Sequence, residues 1–214
     1  MTKMKLCNKI EVKYLLLLLA GALFMTGCST THEHMPIAER TVFSDQEFSE
    51  AWNQHKIDAD CKIVINCSDN LSGYRDSLLT TNKFAYPLKT IFYDICSSMR
   101  DRALRPDNQG AGFVVEIDVQ KAQLQIEKHF FSFSKFTSTF KIKVLVRMFD
   151  PQHHRLFTTN LESLKTEEFE FTDEEDYDLK VSNVVYEACK DITKQIFKKI
   201  SDNNVVIKEL KKFE

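Results

Sequence analysis

Apolar and polar positions alternate most regularly over residues 135–148 of this 214-residue chain. Apolar side chains occupy the even positions from Phe136 to Met148, with Ser138 as the polar exception, and mostly polar side chains occupy the odd positions. A period of two sends successive side chains to opposite faces of a strand. The segment therefore predicts a long strand with one face in a core and the other in water.

Three other segments also predict strands. Residues 61–67 are β-branched at their centre, residues 113–126 alternate, and residues 155–171 follow a turn at 150–154 as the partner of 135–148. The alternation in 113–126 changes parity near Lys121 and Ala122, which predicts a β-bulge. The polar stretch 68–82 is predicted to be a long loop, and 205–210 a final edge strand.

Apolar residues at spacings of three and four predict three helices. The first begins at the capping-box sequence Ser44–Glu47 and ends near Gln54. The second extends from about Pro87 to Ala103, and the third from about residue 177 to 200, with acidic residues before it and lysines near its end. The resulting β-α-β-β-β-α order predicts an α+β fold, a two-layer sandwich with helices on one face of a mostly antiparallel sheet.

The N-terminal region has a different pattern. Residues 14–25 form an apolar run of twelve, preceded by four lysines and followed by Thr26, Gly27 and Cys28. A helix that crosses a bilayer needs about 20 such residues. A basic segment, a short apolar run and small residues are typical of a secretion signal. We therefore predict a signal peptide over 1–27, a tether over 28–43 and a single domain over 44–214.

The sequence Met25–Cys28 resembles the lipobox of bacterial lipoprotein signals, although Met25 stands where Leu is usual. The resemblance implies that Cys28 carries the acyl groups, palmitate among them, and becomes the first residue of the mature chain. Because Ser29 rather than Asp follows the cysteine, it also implies the outer membrane of a Gram-negative cell, on the periplasmic side. The alternative is an uncleaved N-terminal anchor that contains Cys28 by chance.

Charge argues against a nucleic-acid partner. The chain has 29 basic and 31 acidic side chains, and the segment 1–27 holds four of the basic and one of the acidic ones. The remainder carries a net charge of about −5, so it has no basic excess to neutralise phosphates. Six lysines between residues 194 and 212 are interpreted as the solvated end of a helix.

Four cysteines fall in the predicted domain: Cys61, Cys67, Cys96 and Cys189. An even number in an oxidising compartment is compatible with disulfides. Cys61 and Cys67 would lie about 20 Å apart on one strand, so a bridge would join that strand to a helix, or the helices to each other. Buried thiols are the favoured alternative, because Cys96 and Cys189 lie on apolar helix faces. No Cys/His spacing predicts a metal ion, and no motif predicts a cofactor.

The sequence contains none of the motifs GxSxG, HExxH, Walker A or GxGxxG, and we predict that the protein is not an enzyme. A lipobox followed by one domain of this element order resembles a group of outer-membrane lipoproteins. The group includes the YajG-like proteins, the lipoprotein partner of the lipopolysaccharide-assembly barrel and the auxiliary lipoproteins of envelope ABC transporters. The resemblance implies binding of a membrane partner or a lipid, and it assigns no residue beyond Cys28.

Phe130, Phe131 and Phe133 form the candidate docking patch. Neighbouring residues of a strand face opposite sides, so Phe130 and Phe131 cannot both enter one core layer. One of the three is then exposed, unless a turn at 132–135 folds all of them inward. The first functional hypothesis is a non-catalytic accessory protein that docks an envelope complex. The alternative is a protein that binds a lipid or small ligand between helices and sheet, and an enzyme is the third hypothesis.

Overall fold

The computed structural model describes residues 42–67, 71–76, 81–86, 88–105, 112–129, 135–170 and 172–213. The helices are α1 (Asp45–Ala51), α2 (Leu88–Ala103), α3 (Glu174–Ser201) and α4 (Asn204–Leu210), and a 3-10 turn follows at Lys211–Phe213. The strands are β1 (Ile57–Asp58), β2 (Cys61–Asn66), β3 (Leu71–Asp76), β4 (Thr81–Tyr86), β5 (Leu104–Arg105), β6 (Phe113–Lys128), β7 (Lys135–Phe149) and β8 (Arg155–Glu170). The predicted signal peptide, Cys28 and most of the tether lie outside these residues.

The central sheet has four strands in the order β2-β6-β7-β8. β2 lies parallel to β6, with Cys61 opposite Phe113, whereas β6–β7 and β7–β8 are antiparallel. Two small pairs stand beside it: β1 with β5, and the hairpin β3–β4. Helices pack on this mixed open sheet, so the prediction of an α+β fold with helices against a mostly antiparallel sheet is confirmed.

The core lies between the even-numbered face of β7 and two helices. Phe140, Ile142, Val144, Val146 and Met148 are fully buried on that face. α2 and α3 each contribute a buried apolar stripe at helical spacing. The two stripes consist of Leu88, Ile91, Phe92, Ile95, Met99, Val181, Val184, Val185, Ala188, Ile192 and Ile196. Burial of these two stripes against one sheet face produces the two layers.

The interruptions of the core pattern lie close to their predicted positions. Register between β6 and β7 shifts between Val119 and Lys121, so Gln120 is the extra residue of a bulge, one position before the predicted pair. Ser138 faces the core as expected, and its hydroxyl has no hydrogen-bond partner among the described residues.

The prediction of a loop over 68–82 is wrong. Residues 71–76 and 81–86 pair as the antiparallel hairpin β3–β4, with Leu71 opposite Tyr86 and Asp76 opposite Thr81. The prediction rests on polar composition. Paired strands, however, are joined by hydrogen bonds between backbone N–H and C=O groups, and every residue except proline has both groups. Polar composition therefore does not exclude a strand.

The prediction of an edge strand over 205–210 is also wrong, because Asn204–Leu210 is the helix α4. The Asn203 side chain accepts hydrogen bonds from the backbone N–H groups of Val205 and Val206 at 3.0 and 3.2 Å, which caps the helix. Val206, Ile207 and Leu210 share its buried face. Val205 and Val206 favour a strand by their intrinsic propensity. The cap favours the helix more strongly, since it gives the N–H groups of both residues a hydrogen-bond acceptor.

Removal of this cap is expected to weaken α4. The Asn203→Ala substitution should lower the free energy of unfolding by about 1 kcal/mol, because two N–H groups lose their acceptor. The neighbouring Asn204→Ala is the matched control, since Asn204 is an exposed first residue of the helix. Urea denaturation of both variants measures the difference. Equal midpoints would show that the cap adds nothing to stability.

Candidate functional site

The β6–β7 hairpin leads to the predicted docking patch. Phe130, Phe131 and Phe133 lie outside the described residues, but both strands that carry them are described. The backbone N–H of His129 donates to the carbonyl of Lys135 at 3.0 Å, and its Nε2 lies 2.7 Å from Thr137 Oγ1. The strands therefore remain paired up to the five-residue connection that contains the three phenylalanines.

Three aromatic side chains, from the start of β7, the end of β8 and the first turns of α3, pack together. Phe136 stacks on Phe169 with ring centroids 6.1 Å apart, and Tyr177 meets each ring edge-on at 5.7 Å. All three are buried, and Lys128 Nζ lies 5.9 Å from the centroid of Phe136. Aromatic pairs of this geometry contribute about 0.5–1.5 kcal/mol beyond their buried area. This aromatic base fixes the hairpin end against the start of α3.

Sequence reasoning named Phe136 but missed the other two members of the aromatic base. Phe169 lies directly opposite Phe136 in the β7–β8 register, which the turn at Asp150–His154 sets. Counting outward from that turn alone places Glu168 opposite Phe136, because the register shifts by one residue between the Phe149–Arg155 and Met148–Phe157 pairs. The sequence predicts that α3 begins near Tyr177, and the helix begins at Glu174, with Asp173 as its N-cap. Its place one turn inside the helix directs it to the sheet.

Charged groups surround the aromatic base. Lys180 Nζ donates to the backbone carbonyl of Glu170 at 2.7 Å and lies 3.5 Å from the Asp176 carboxylate. Lys135 and Glu170 form a longer pair at 3.6 Å. Exposed ion pairs contribute at most about 1 kcal/mol each. Their effect here is positional, since they join the end of β8 to the first turns of α3.

The outer face of the sheet has charges of both signs that pair with each other. Arg147 on β7 bonds to the carboxylates of Glu116, at 3.0 Å, and Asp118 on β6. Asn66 on β2 donates to Asp118 at 2.7 Å. This part of the outer face therefore has no single sign of charge to attract a ligand of opposite sign.

The four domain cysteines are thiols, and the described residues contain no disulfide. Burial raises the pKa of Cys61 to about 12, with Arg100 opposing and Asp60 reinforcing the shift. Burial also raises the pKa of Cys96 to about 12, although its 3.2 Å contact with Thr193 Oγ1 acts the other way. Burial raises the pKa of Cys189 as well, and Cys67 is half-buried beyond the end of β2. The three buried groups are protonated at neutral pH and are poor nucleophiles.

A small cavity of about 220 Å³ lies at the start of β2. Its lining comprises Ala59, Asp60, Cys61, Arg100, Asp101 and Leu104. Arg100 pairs with its neighbour Asp101 at 2.7 Å, which leaves Asp60 as the one charged side chain of the lining outside this pair. Sites for small organic ligands usually measure about 300–1,000 Å³. The cavity is therefore a weaker candidate than the hairpin end.

Among the described residues, no group of three or more His, Cys, Asp or Glu side chains is arranged to hold a metal ion. In the same residues, no helix has both the length and the apolar character needed to cross a membrane.

Glu47 holds the domain's N-terminal helix in place. Its carboxylate accepts from the Ser44 N–H at 2.9 Å and pairs with Lys190 of α3 at 2.8 Å. Burial alone would raise the pKa of Glu47, but the hydrogen bonds from Lys190 and the Ser44 backbone, with the positive charge of Lys190, lower it to about 2. The tether would join the domain at this helix, so the pair holds the entry point of the chain.

The lowered pKa of Glu47 predicts a pH-dependent stability. A carboxyl group whose pKa is depressed by folding stabilises the fold fully above its unfolded value of 4.5, and this contribution is lost as the pH falls towards 2. The Glu47→Gln variant should be less stable at pH 7 and should show a smaller loss between pH 4.5 and 2. Thermal melts across this range test it, with the exposed Glu50→Gln as control. Parallel curves for wild type and Glu47→Gln would contradict the assignment.

Comparison with known proteins gives a distant structural likeness. No family model matches the chain, and no curated protein matches it in sequence. A protein from Xanthomonas campestris of the DUF330 family aligns with a TM-score of 0.45 and 10% identity over 68% of this chain and 85% of its own. A minor lipoprotein from Acinetobacter baumannii aligns with a TM-score of 0.39 and 10% identity over 69% and 93%. Rare lipoprotein B from Shewanella oneidensis aligns with a TM-score of 0.37 and 10% identity over 68% and 98%. At these values the likeness is too distant to carry an argument about function.

Proposed function

We propose that the protein is a lipid-anchored accessory protein on the periplasmic side of a Gram-negative outer membrane, where it docks a membrane protein complex through the end of the β6–β7 hairpin. The observation that carries the docking part is the aromatic base of Phe136, Phe169 and Tyr177. It packs the start of β7, which follows Phe130, Phe131 and Phe133 in the sequence, against the end of β8 and the start of α3. Interfaces commonly depend on a few aromatic anchors on a rigid support.

The anchor part of the proposal depends on Cys28 and the sequence before it. Each buried CH₂ group of an acyl chain contributes about 0.8 kcal/mol, and two or more chains hold a protein stably at a bilayer. The tether would then join the domain at Phe43. The Phe43 side chain is buried, and its backbone carbonyl accepts a hydrogen bond from Arg102 at 2.7 Å. The sulfur-linked lipid and the hairpin end thus serve separate tasks, attachment and recognition.

Mild crosslinking in intact cells, followed by affinity purification of the chain, tests the docking function. We expect one discrete partner with the natural sequence, and its loss when Phe130, Phe131 and Phe133 are all changed to Ser. The matched control changes Tyr93 and Val205 to Ser, because these two large side chains are exposed elsewhere on the domain, at 44% and 61%. Recovery of the monomer alone under every condition would contradict the proposal.

A further inference from the structure

Among the described strands, β8 lies at one edge of the central sheet and pairs with β7 alone. It has 16 residues, contains no proline, and pairs with β7 in one continuous register from Phe157 to Glu170. Long regular edge strands present unpaired backbone groups to any extended chain that approaches them. The second outer edge differs, because β2 has only six residues.

The hydrogen-bond pattern identifies which residues of β8 face this open edge. The bond from the His129 N–H to the Lys135 carbonyl shows that odd-numbered residues of β7 bond to β6. Bonding alternates along an antiparallel strand, so even-numbered residues of β7 bond to β8. Since Phe136 lies opposite Phe169, the odd-numbered residues of β8 bond inward and the even-numbered ones point outward.

Side chains of α3 confirm this assignment independently. The outward carbonyl of Glu170 accepts from Lys180 at 2.7 Å, and that of Glu162 accepts from Gln195 at 3.4 Å. Both residues are even-numbered. Between them, the outward N–H and C=O groups of Leu164, Thr166 and Glu168 have no partner among the described residues, and Leu164 is 59% exposed. The open edge is therefore the stretch 163–169.

Acidic side chains border the open edge. Glu162, Glu168 and Glu170 lie on the outer face of β8, and Glu167 is exposed on the opposite face. Lys141 pairs with Glu162 at 2.5 Å and Lys135 with Glu170, whereas Glu167 and Glu168 have no ion pair in the described part of the chain. Directly opposed side chains of opposite charge stabilise a strand pair, and like charges weaken it.

The charge pattern gives a second copy of the chain no net advantage as the occupant. Antiparallel pairing of two β8 strands centred on Thr166 would place Glu162 against Glu170 at both ends and Lys165 against Glu167 beside the centre, so that like and opposite charges offset each other. Glu167 and Lys165 further place charges on the core-side face, a feature that protects edge strands from adventitious apolar partners.

Resting on the proposed docking function, we propose that β8 takes up an extended, basic segment of the partner protein as an added strand along residues 163–169. Main-chain hydrogen bonds to Leu164, Thr166 and Glu168 supply affinity. Lysine or arginine side chains opposite the free glutamates supply selectivity. The hairpin end and this edge are adjoining features, since β7 carries the hairpin end and pairs with β8.

Peptide binding to the full chain in neutral detergent tests the inference. The probe is a labelled peptide of about ten alternating Lys and Thr residues, within the usual length of a strand, and a Glu/Thr peptide of equal length is its control. Thr166→Pro removes an outward N–H but leaves the ladder to β7 intact, and Thr166→Val keeps that N–H. We expect the Lys peptide alone to bind, with an affinity about tenfold lower for Thr166→Pro and unchanged for Thr166→Val.

Several outcomes would overturn the inference. Absence of Lys-peptide binding would do so, as would equal binding to Thr166→Pro, which would indicate attraction by charge alone. A dimer that Thr166→Pro dissociates would identify a second copy as the occupant. Where Thr166→Pro fails to fold by circular dichroism, Glu168→Lys replaces it and should shift preference towards the Glu peptide. An unchanged preference would reject the basic segment. None of these measurements depends on Cys28 or on the crosslinked partner, so failure here is distinct from failure of the proposed function.

Discussion

Replacement of Cys28 by Ala is expected to abolish lipid labelling and to leave an unprocessed precursor. Lipid attachment and signal removal both require the cysteine sulfur in the lipobox scheme, so one substitution should block both steps. Labelling with radioactive palmitate followed by intact mass spectrometry measures the two results together. The variant should carry no label and should be heavier than the delipidated mature chain by the mass of residues 1–27, less the sulfur atom that the substitution removes.

Cys7 supplies the matched control for this experiment. It lies in the same predicted signal segment but outside the Met25–Cys28 sequence. Cys7→Ala should therefore be labelled and processed like the natural chain. Continued processing of Cys28→Ala, or label retained on it, would refute the lipobox and favour an uncleaved anchor.

Replacement of Phe136 by Ala is expected to cause the largest loss of stability among the substitutions near the hairpin end. Phe136 is 7% exposed and contacts both other rings of the aromatic base. Truncation of a buried phenylalanine costs about 3–5 kcal/mol. Whole domains have free energies of unfolding of about 5–15 kcal/mol. The variant should therefore unfold at a much lower urea concentration.

The neighbouring Lys135→Ala is the control, because the Lys135 side chain is 58% exposed and, among the described residues, forms just the long pair with Glu170. Its free energy of unfolding should change by less than about 0.5 kcal/mol. A loss below about 1 kcal/mol for Phe136→Ala would show that the three rings do not act as a packed unit.

The sequence predicted most of the central sheet and its helical layer, because each of those elements buries one face. That burial produces the features that the sequence shows: the alternation over 135–148, the parity change near Lys121 and the apolar stripes of α2 and α3. The sequences of strands β3 and β4 contain no such pattern, and the two valines after Asn203 favour a strand where α4 forms. Backbone pairing defines the β3–β4 hairpin, and the Asn203 side chain caps α4.

The candidate site was predictable only in part. Phe136 follows from its strand pattern, but Phe169 and Tyr177 come together with it through the register of β8 and the start of α3. The outward residues of β8 likewise depend on which carbonyl the His129 N–H meets. Each of these features depends on how two elements of the fold are placed against each other. The spacing of apolar residues within one element does not specify that placement.

Photo-crosslinking from single positions in intact cells tests the central claim, docking through the hairpin end, most directly. A photoreactive phenylalanine analogue is placed at Phe130, Phe131 and Phe133 in turn, and at the exposed Val205 as a distant control. The account predicts one discrete protein adduct from at least one of the three hairpin positions, and none of the same mass from Val205. The same adduct from Val205, or no adduct from any hairpin position, would contradict docking through this end of the domain.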